Sequence, residues 1–161
     1  MTRRSLLSLP LFTACAERRE TRVADWAAVR AAAEPAPSLL YFWALWSRPS
    51  VELLPTLRET ALEYPALRFA AVCLADDPAA DQARAASLAE SLGGAAECLV
   101  APLDFDRLTR DFGVSEPPAA VVYARENGGP ARLEGEALTP DRLDAFAAEA
   151  AAIMTTSPRS S

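Results

Sequence analysis

The segment Ser38–Ala44 (Ser-Leu-Leu-Tyr-Phe-Trp-Ala) constrains the fold more than any other part of this 161-residue chain. Successive side chains of a β-strand point to opposite faces of a sheet. A short run that is apolar and aromatic without alternation must therefore be covered on both faces, as in the interior strands of α/β sheets. Pro35 and Pro37 precede the run, and Ser47-Arg48-Pro49-Ser50 follows it, so a strand is expected to pass directly into a helix. Leu67–Ala75 reads as a second buried strand closed by Asp76-Asp77-Pro78, and Ala119–Ala124 as a third.

Helical segments are expected between these strands. Val23–Ala33 places Trp26 and Val29 on one face. Pro49–Tyr64 contains Pro55, which removes a backbone donor and should kink the helix. Ala79–Leu92 is rich in Ala and stops at Gly93-Gly94, and Asp104–Phe112 stops at Gly113. Cys98–Ala101 is assigned as a short strand. Glu126-Asn127-Gly128-Gly129 is a turn signal before a last strand at Pro130–Gly135. Thr139–Ala152 closes the domain as a helix, with Thr139 as N-cap and Pro140 at the first helical position. The expected architecture is an α/β fold with a mixed central sheet flanked by helices on both faces.

Composition removes whole classes of chemistry. The sixteen basic residues are all Arg, against twenty-two acids, and there is no His. Without His there is no Ser-His-Asp or Cys-His catalysis and no His-ligated zinc. Without Lys there is no Walker lysine and no Schiff base. A net charge of −6 with dispersed Arg argues against nucleic acid as a partner. Asp76-Asp77 and Asp104 with Asp106 stand just before helices, so helix capping is expected of them, with no metal site and no cofactor.

The N-terminus reads as an address. Arg3 and Arg4 precede the mostly apolar stretch 5–14, which is too short for a bilayer-spanning helix of about 20 residues. Phe12-Thr13-Ala14-Cys15 resembles a bacterial lipobox, which would make Cys15 the lipidated first residue and the membrane anchor. Ala14-Cys15-Ala16 also fits a cleavage site that releases a soluble protein, and Thr2–Leu7 loosely resembles a twin-arginine signal. The alternative is a cytoplasmic N-terminus with a chance apolar run. The expected organisation is a signal at 1–15, a tether at 16–22, a folded domain at 23–152 and a disordered tail at 153–161.

Phe42-Trp43-Ala44-Leu45-Trp46-Ser47-Arg48-Pro49-Ser50 resembles the thioredoxin-like signature Phe-Trp-Ala-x-Trp-Cys-x-Pro-Cys. Gly113-Val114-Ser115-Glu116-Pro117-Pro118 resembles that superfamily's Gly-Val-x-x-x-Pro turn, which implies that Pro118 is cis. The insert between Asp76 and Phe112 resembles the TlpA-like, membrane-anchored branch of bacterial envelopes, and an export signal agrees with it. The resemblance implies a thioredoxin-like fold over residues 23–152. It also implies thiols at the positions held here by Ser47 and Ser50, and a buried Asp at the position held by Tyr41. A serine hydroxyl forms no mixed disulfide, so thiol exchange at this place is not expected. Ser47 is expected to act as an N-cap, its hydroxyl accepting a backbone N–H.

Members of the superfamily grip a substrate chain through the backbone of the residue before the cis-proline. Pro117 has no N–H, so half of that pairing is missing. Binding of an unidentified protein or peptide is expected to rely on Trp46, Arg48, Pro49 and the Pro118 surface. Cys73 and Cys98 are expected to be buried thiols. The alternatives are a disulfide between them, or a relocated thiol-disulfide oxidoreductase site that uses them. Trp26, Trp43 and Phe69 are assigned to the core, and Trp46 to the surface.

Overall fold

The computed structural model describes residues 20–34, 36–124 and 129–155. Cys15, the apolar N-terminal stretch and most of the Glu126–Gly129 turn lie outside them. Among the described residues six strands form one sheet: β1 (Arg22–Val23), β2 (Ser38–Ala44), β3 (Arg68–Ala75), β4 (Glu97–Pro102), β5 (Ala119–Tyr123) and β6 (Ala131–Glu134). Their spatial order is β1-β4-β3-β2-β5-β6. The first four are mutually parallel, and β5 and β6 are added antiparallel.

Helices α1 (Trp26–Ala33) and α5 (Phe105–Phe112) cover one face. The other face is covered by α2 (Arg48–Glu52), α3 (Leu54–Glu63), α4 (Pro78–Ala89) and α6 (Pro140–Thr155). The two cores divide the strands by alternation. Leu39, Tyr41 and Trp43 face α3 and α6, whereas Leu40 and Phe42 face α1 and α5. Phe69, Ala71 and Cys73 against Ala70, Val72 and Leu74 repeat the division in β3. The unbroken apolar runs thus arise because both faces are dry.

Several boundaries differ from those expected. The first helix begins at Trp26, where Asp25 accepts the Ala28 N–H at 2.8 Å. Val23, expected at its start, pairs instead with Val100 on β4, and the Ala24 N–H continues that ladder to the Val100 carbonyl. Pro55 divides the expected helix in two rather than kinking it, since no N–H at 55 can bond back to the preceding turn. Glu97–Pro102 is a full inner strand between β1 and β3. The last helix continues to Thr155, three residues past its expected end, with the Thr139 hydroxyl accepting from Arg142 N–H. Asp77 and Asp104 cap α4 and α5, each accepting a backbone N–H three residues ahead.

Register brings the two signature segments together. Phe42 on β2 is opposite Ala119 on β5. The chain leaving β2 toward Ser47 therefore runs beside the chain that enters β5 from the Pro117–Pro118 bond, which is cis. Among the described residues no helix is long and apolar enough to cross a membrane.

Candidate functional site

After Ala44 the chain turns through Leu45 and Trp46 and enters α2 at Arg48. Ser47 is the N-cap residue, but its hydroxyl makes no capping hydrogen bond, contrary to expectation. An N-cap side chain bonds the N–H of the second or third helical residue. Here the second is Pro49, which has none, and the third is Ser50, whose N–H already bonds the Ser47 carbonyl at 3.0 Å. The Ser47 carbonyl also accepts from Val51 N–H at 3.2 Å, so its backbone does the work expected of its side chain.

Ser50 is fully buried. Its hydroxyl accepts from the Ala44 N–H at 3.1 Å and lies 2.7 Å from the Ser47 carbonyl and 3.2 Å from the Ala44 carbonyl. A hydroxyl has one proton, which the nearer carbonyl takes. Beneath it, the fully buried Tyr41 donates its phenol proton to the Ser50 carbonyl at 2.6 Å. Burial raises the phenol's pKa well above the ordinary tyrosine value, so Tyr41 is a donor and not a proton acceptor. These bonds tie β2, the turn and α2 together. Sequence reading identified Tyr41, Ser47 and Ser50 but not their mutual bonding. A Ser that bonds the carbonyl three residues back is the local signal that was available.

The remaining candidates divide by exposure. Trp46, Arg48 and Pro49 form an exposed strip at the helix entrance, with Trp46 58% exposed. Arg48 reaches along the helix to Glu52 at 2.6 Å, and the carboxylate favours its charged form. Pro117 and Pro118 are both buried. The expected Pro118 contact surface is therefore absent, because the turn packs inward as it enters the central sheet. That turn is fastened to the sheet edge. Glu134 accepts both the N–H and the hydroxyl of Ser115 at 2.8 Å, and the Pro118 carbonyl accepts from Gly135 N–H at 2.9 Å. The Glu134–Ser115 contact carries no sequence signal.

Cys73 and Cys98 are buried thiols with no disulfide between them. They occupy adjacent strands but not facing positions: Cys73 is opposite Val100, and Cys98 is opposite Ala71. Burial, aided by the charge of Asp81, pushes the Cys73 thiol up to about 12. Trp26, Trp43 and Phe69 are in the core as expected.

The sequence matches no protein-family model and no curated protein sequence. Solved structures do match. A secreted Mycobacterium tuberculosis disulfide oxidoreductase homologous to E. coli DsbE is 25% identical, with a TM-score of 0.54 over 70% of this chain and 81% of that one. A thioredoxin-like protein in its oxidised form is 20% identical, with a TM-score of 0.58 over 72% and 78% of the two chains. A thiol:disulfide interchange protein of the thioredoxin family from Chlorobium tepidum is 12% identical, with a TM-score of 0.53 over 71% and 79%. The fold is thioredoxin-like.

Proposed function

We propose that this thioredoxin-like fold serves as a binding or scaffolding module of the bacterial cell envelope, held to the membrane through a lipid on Cys15, and not as a disulfide reductase. The observation that carries the reading is the bonding at the entrance of α2. The resemblance implies a nucleophilic thiol and a resolving thiol there. Instead, the Ser50 hydroxyl is spent on the chain's own backbone, and Tyr41 donates a proton into the cluster. Neither group can relay electrons, and no His or Lys in the chain could activate Ser47. The fold likeness to a secreted oxidoreductase supports an envelope setting.

The partner surface we assign is Trp46, Arg48 and Pro49. Exposed Trp and Arg are the residue types that most often dominate protein interfaces. The relocated redox site is disfavoured by Cys73 itself. A thiol at about 12, inside a strand, supplies almost no thiolate near neutrality.

Insulin reduction by dithiothreitol tests the reading. The parent protein is expected to add nothing to the rate with dithiothreitol alone. Catalysis by the parent would overturn the proposal, and its loss in Cys73→Ala/Cys98→Ala would assign it to those thiols. Mass spectrometry of the mature N-terminus tests the anchor: a diacylglyceryl adduct on Cys15 is expected, and an unprocessed Met1 would refute it.

A further inference from the structure

On the sheet face covered by α1 and α5, away from the entrance of α2, lies a cleft of about 390 Å³ lined by Trp26, Ala27, Arg30, Arg107, Arg110 and Asp111. Asp111 is its hub. One carboxylate oxygen lies 3.1 Å from Arg30 and 3.4 Å from Arg110, and the other lies 3.7 Å from Arg107. Three guanidiniums against one carboxylate leave a positive surplus in a chain whose net charge is −6. All three arginines are partly exposed, whereas Asp111 is largely covered by them. The surplus charge therefore faces outward.

Two buried N–H groups belong to residues that line this cleft. Trp26 is 6% exposed, and its indole Nε1–H has no acceptor. The Arg107 Nε–H is buried without a hydrogen bond. Buried donors are nearly always paired, and indole and guanidinium N–H groups can only donate. The cleft thus combines an indole donor without an acceptor, a guanidinium N–H outside hydrogen-bond reach of its carboxylate, and excess positive charge. Asp111 already offers a carboxylate from within, yet it stands 3.7 Å from the Arg107 Nε–H, beyond hydrogen-bond reach, and the Trp26 Nε1–H has no acceptor. A ligand with more acceptor oxygens, spread over more directions, fits the set better. Phosphate has that geometry, and Arg is the side chain best suited to hold it.

We propose that this cleft binds a small phosphate-bearing ligand through Arg30, Arg107 and Arg110, with the Trp26 indole N–H as the neutral donor. The test is to titrate ¹⁵N-labelled protein with inorganic phosphate at constant pH and follow its indole resonances. Sodium chloride at matched ionic strength serves as the control, and a Trp26→Phe variant assigns the peak. The Trp26 indole peak should move along a saturating curve with phosphate and not with chloride, while the Trp43 peak stays in place. Arg30→Gln and Arg110→Gln should each weaken the response by about tenfold, the scale of one lost hydrogen bond to a charged group. Both positions are more than half exposed, and an unchanged Trp43 peak reports an intact fold. A Trp26 shift that fails to saturate, that is equal in chloride, or that is unaltered in both variants would overturn the proposal.

Discussion

The entrance of α2 and the α1–α5 cleft are both polar clusters on a largely apolar framework, and they are organised in opposite ways. At the entrance, Tyr41, Ala44, Ser47 and Ser50 consume one another's donors and acceptors. In the cleft, three arginines share one carboxylate, the Arg107 Nε–H stands too far from it to hydrogen-bond, and the Trp26 indole N–H has no acceptor. A closed cluster fixes the chain, because opening it exposes or orphans several groups at once. An open cluster adds little to the fold and leaves capacity for something outside it. The place where the resemblance implies chemistry is thus built as a fastening, and the unheralded place has the properties of a receptor.

Four substitutions or conditions press on this contrast, from the largest effect to the smallest. Ser47→Cys/Ser50→Cys restores the thiols implied by the resemblance at a helix N-terminus, where thiol pKa values fall. It should convert background insulin reduction into measurable catalysis, and a silent double variant would show that Tyr41 and the packing also block exchange. Ser50→Ala leaves the buried Ala44 N–H without its acceptor and should cost about 1–3 kcal/mol in denaturant unfolding. Tyr41→Phe orphans only the Ser50 carbonyl, one lone pair deep, and should cost about 1–2 kcal/mol. Arg30→Gln in the open cleft should change stability by about 0.5 kcal/mol or less, since an exposed ion pair contributes little. Comparable costs for Ser50→Ala and Arg30→Gln would erase the distinction.

Alkaline titration gives an independent check on how tightly the core is closed. The folded-state pKa of Cys73 lies above its ordinary value of 9.0, so the folded state holds that proton more tightly than the unfolded chain. The associated stability is fully present below pH 9 and is lost as pH rises toward about 12. Tyr41 acts in the same direction from pH 10 upward. Between pH 9 and 11, unfolding free energy should fall with a slope of up to about 1.4 kcal/mol per pH unit for each proton. Cys73→Ala should flatten the early part of that slope.

Legibility followed the same physics. The strands β2, β3 and β5 were readable because burial on both faces leaves an unbroken apolar run, and capping by Asp77, Asp104 and Thr139 was readable because it is local. A two-residue strand such as Arg22–Val23 has no period to detect, and its two residues read as the end of the tether and the start of the neighbouring helix. Ser47 has the residue type of an N-cap, but Pro49 lacks the one N–H its hydroxyl would reach and the Ser50 N–H is already bonded to the Ser47 carbonyl. The cleft was invisible for a different reason. Arg30 belongs to α1, while Arg107, Arg110 and Asp111 belong to α5, and only the packing of both helices on one face of the sheet sets their spacing.

The two margins of that sheet have a consequence for how other molecules can approach. One ends in the two-residue β1, where Arg22 is tied to Glu97, and the other in the four-residue β6, which carries Arg132 and Glu134. Short, charged borders offer a second chain no continuous ladder of free backbone groups to extend. Pro117 withholds one more such group beside β5. A polypeptide that docked at these margins would be held by side-chain shape and charge rather than annexed as another strand.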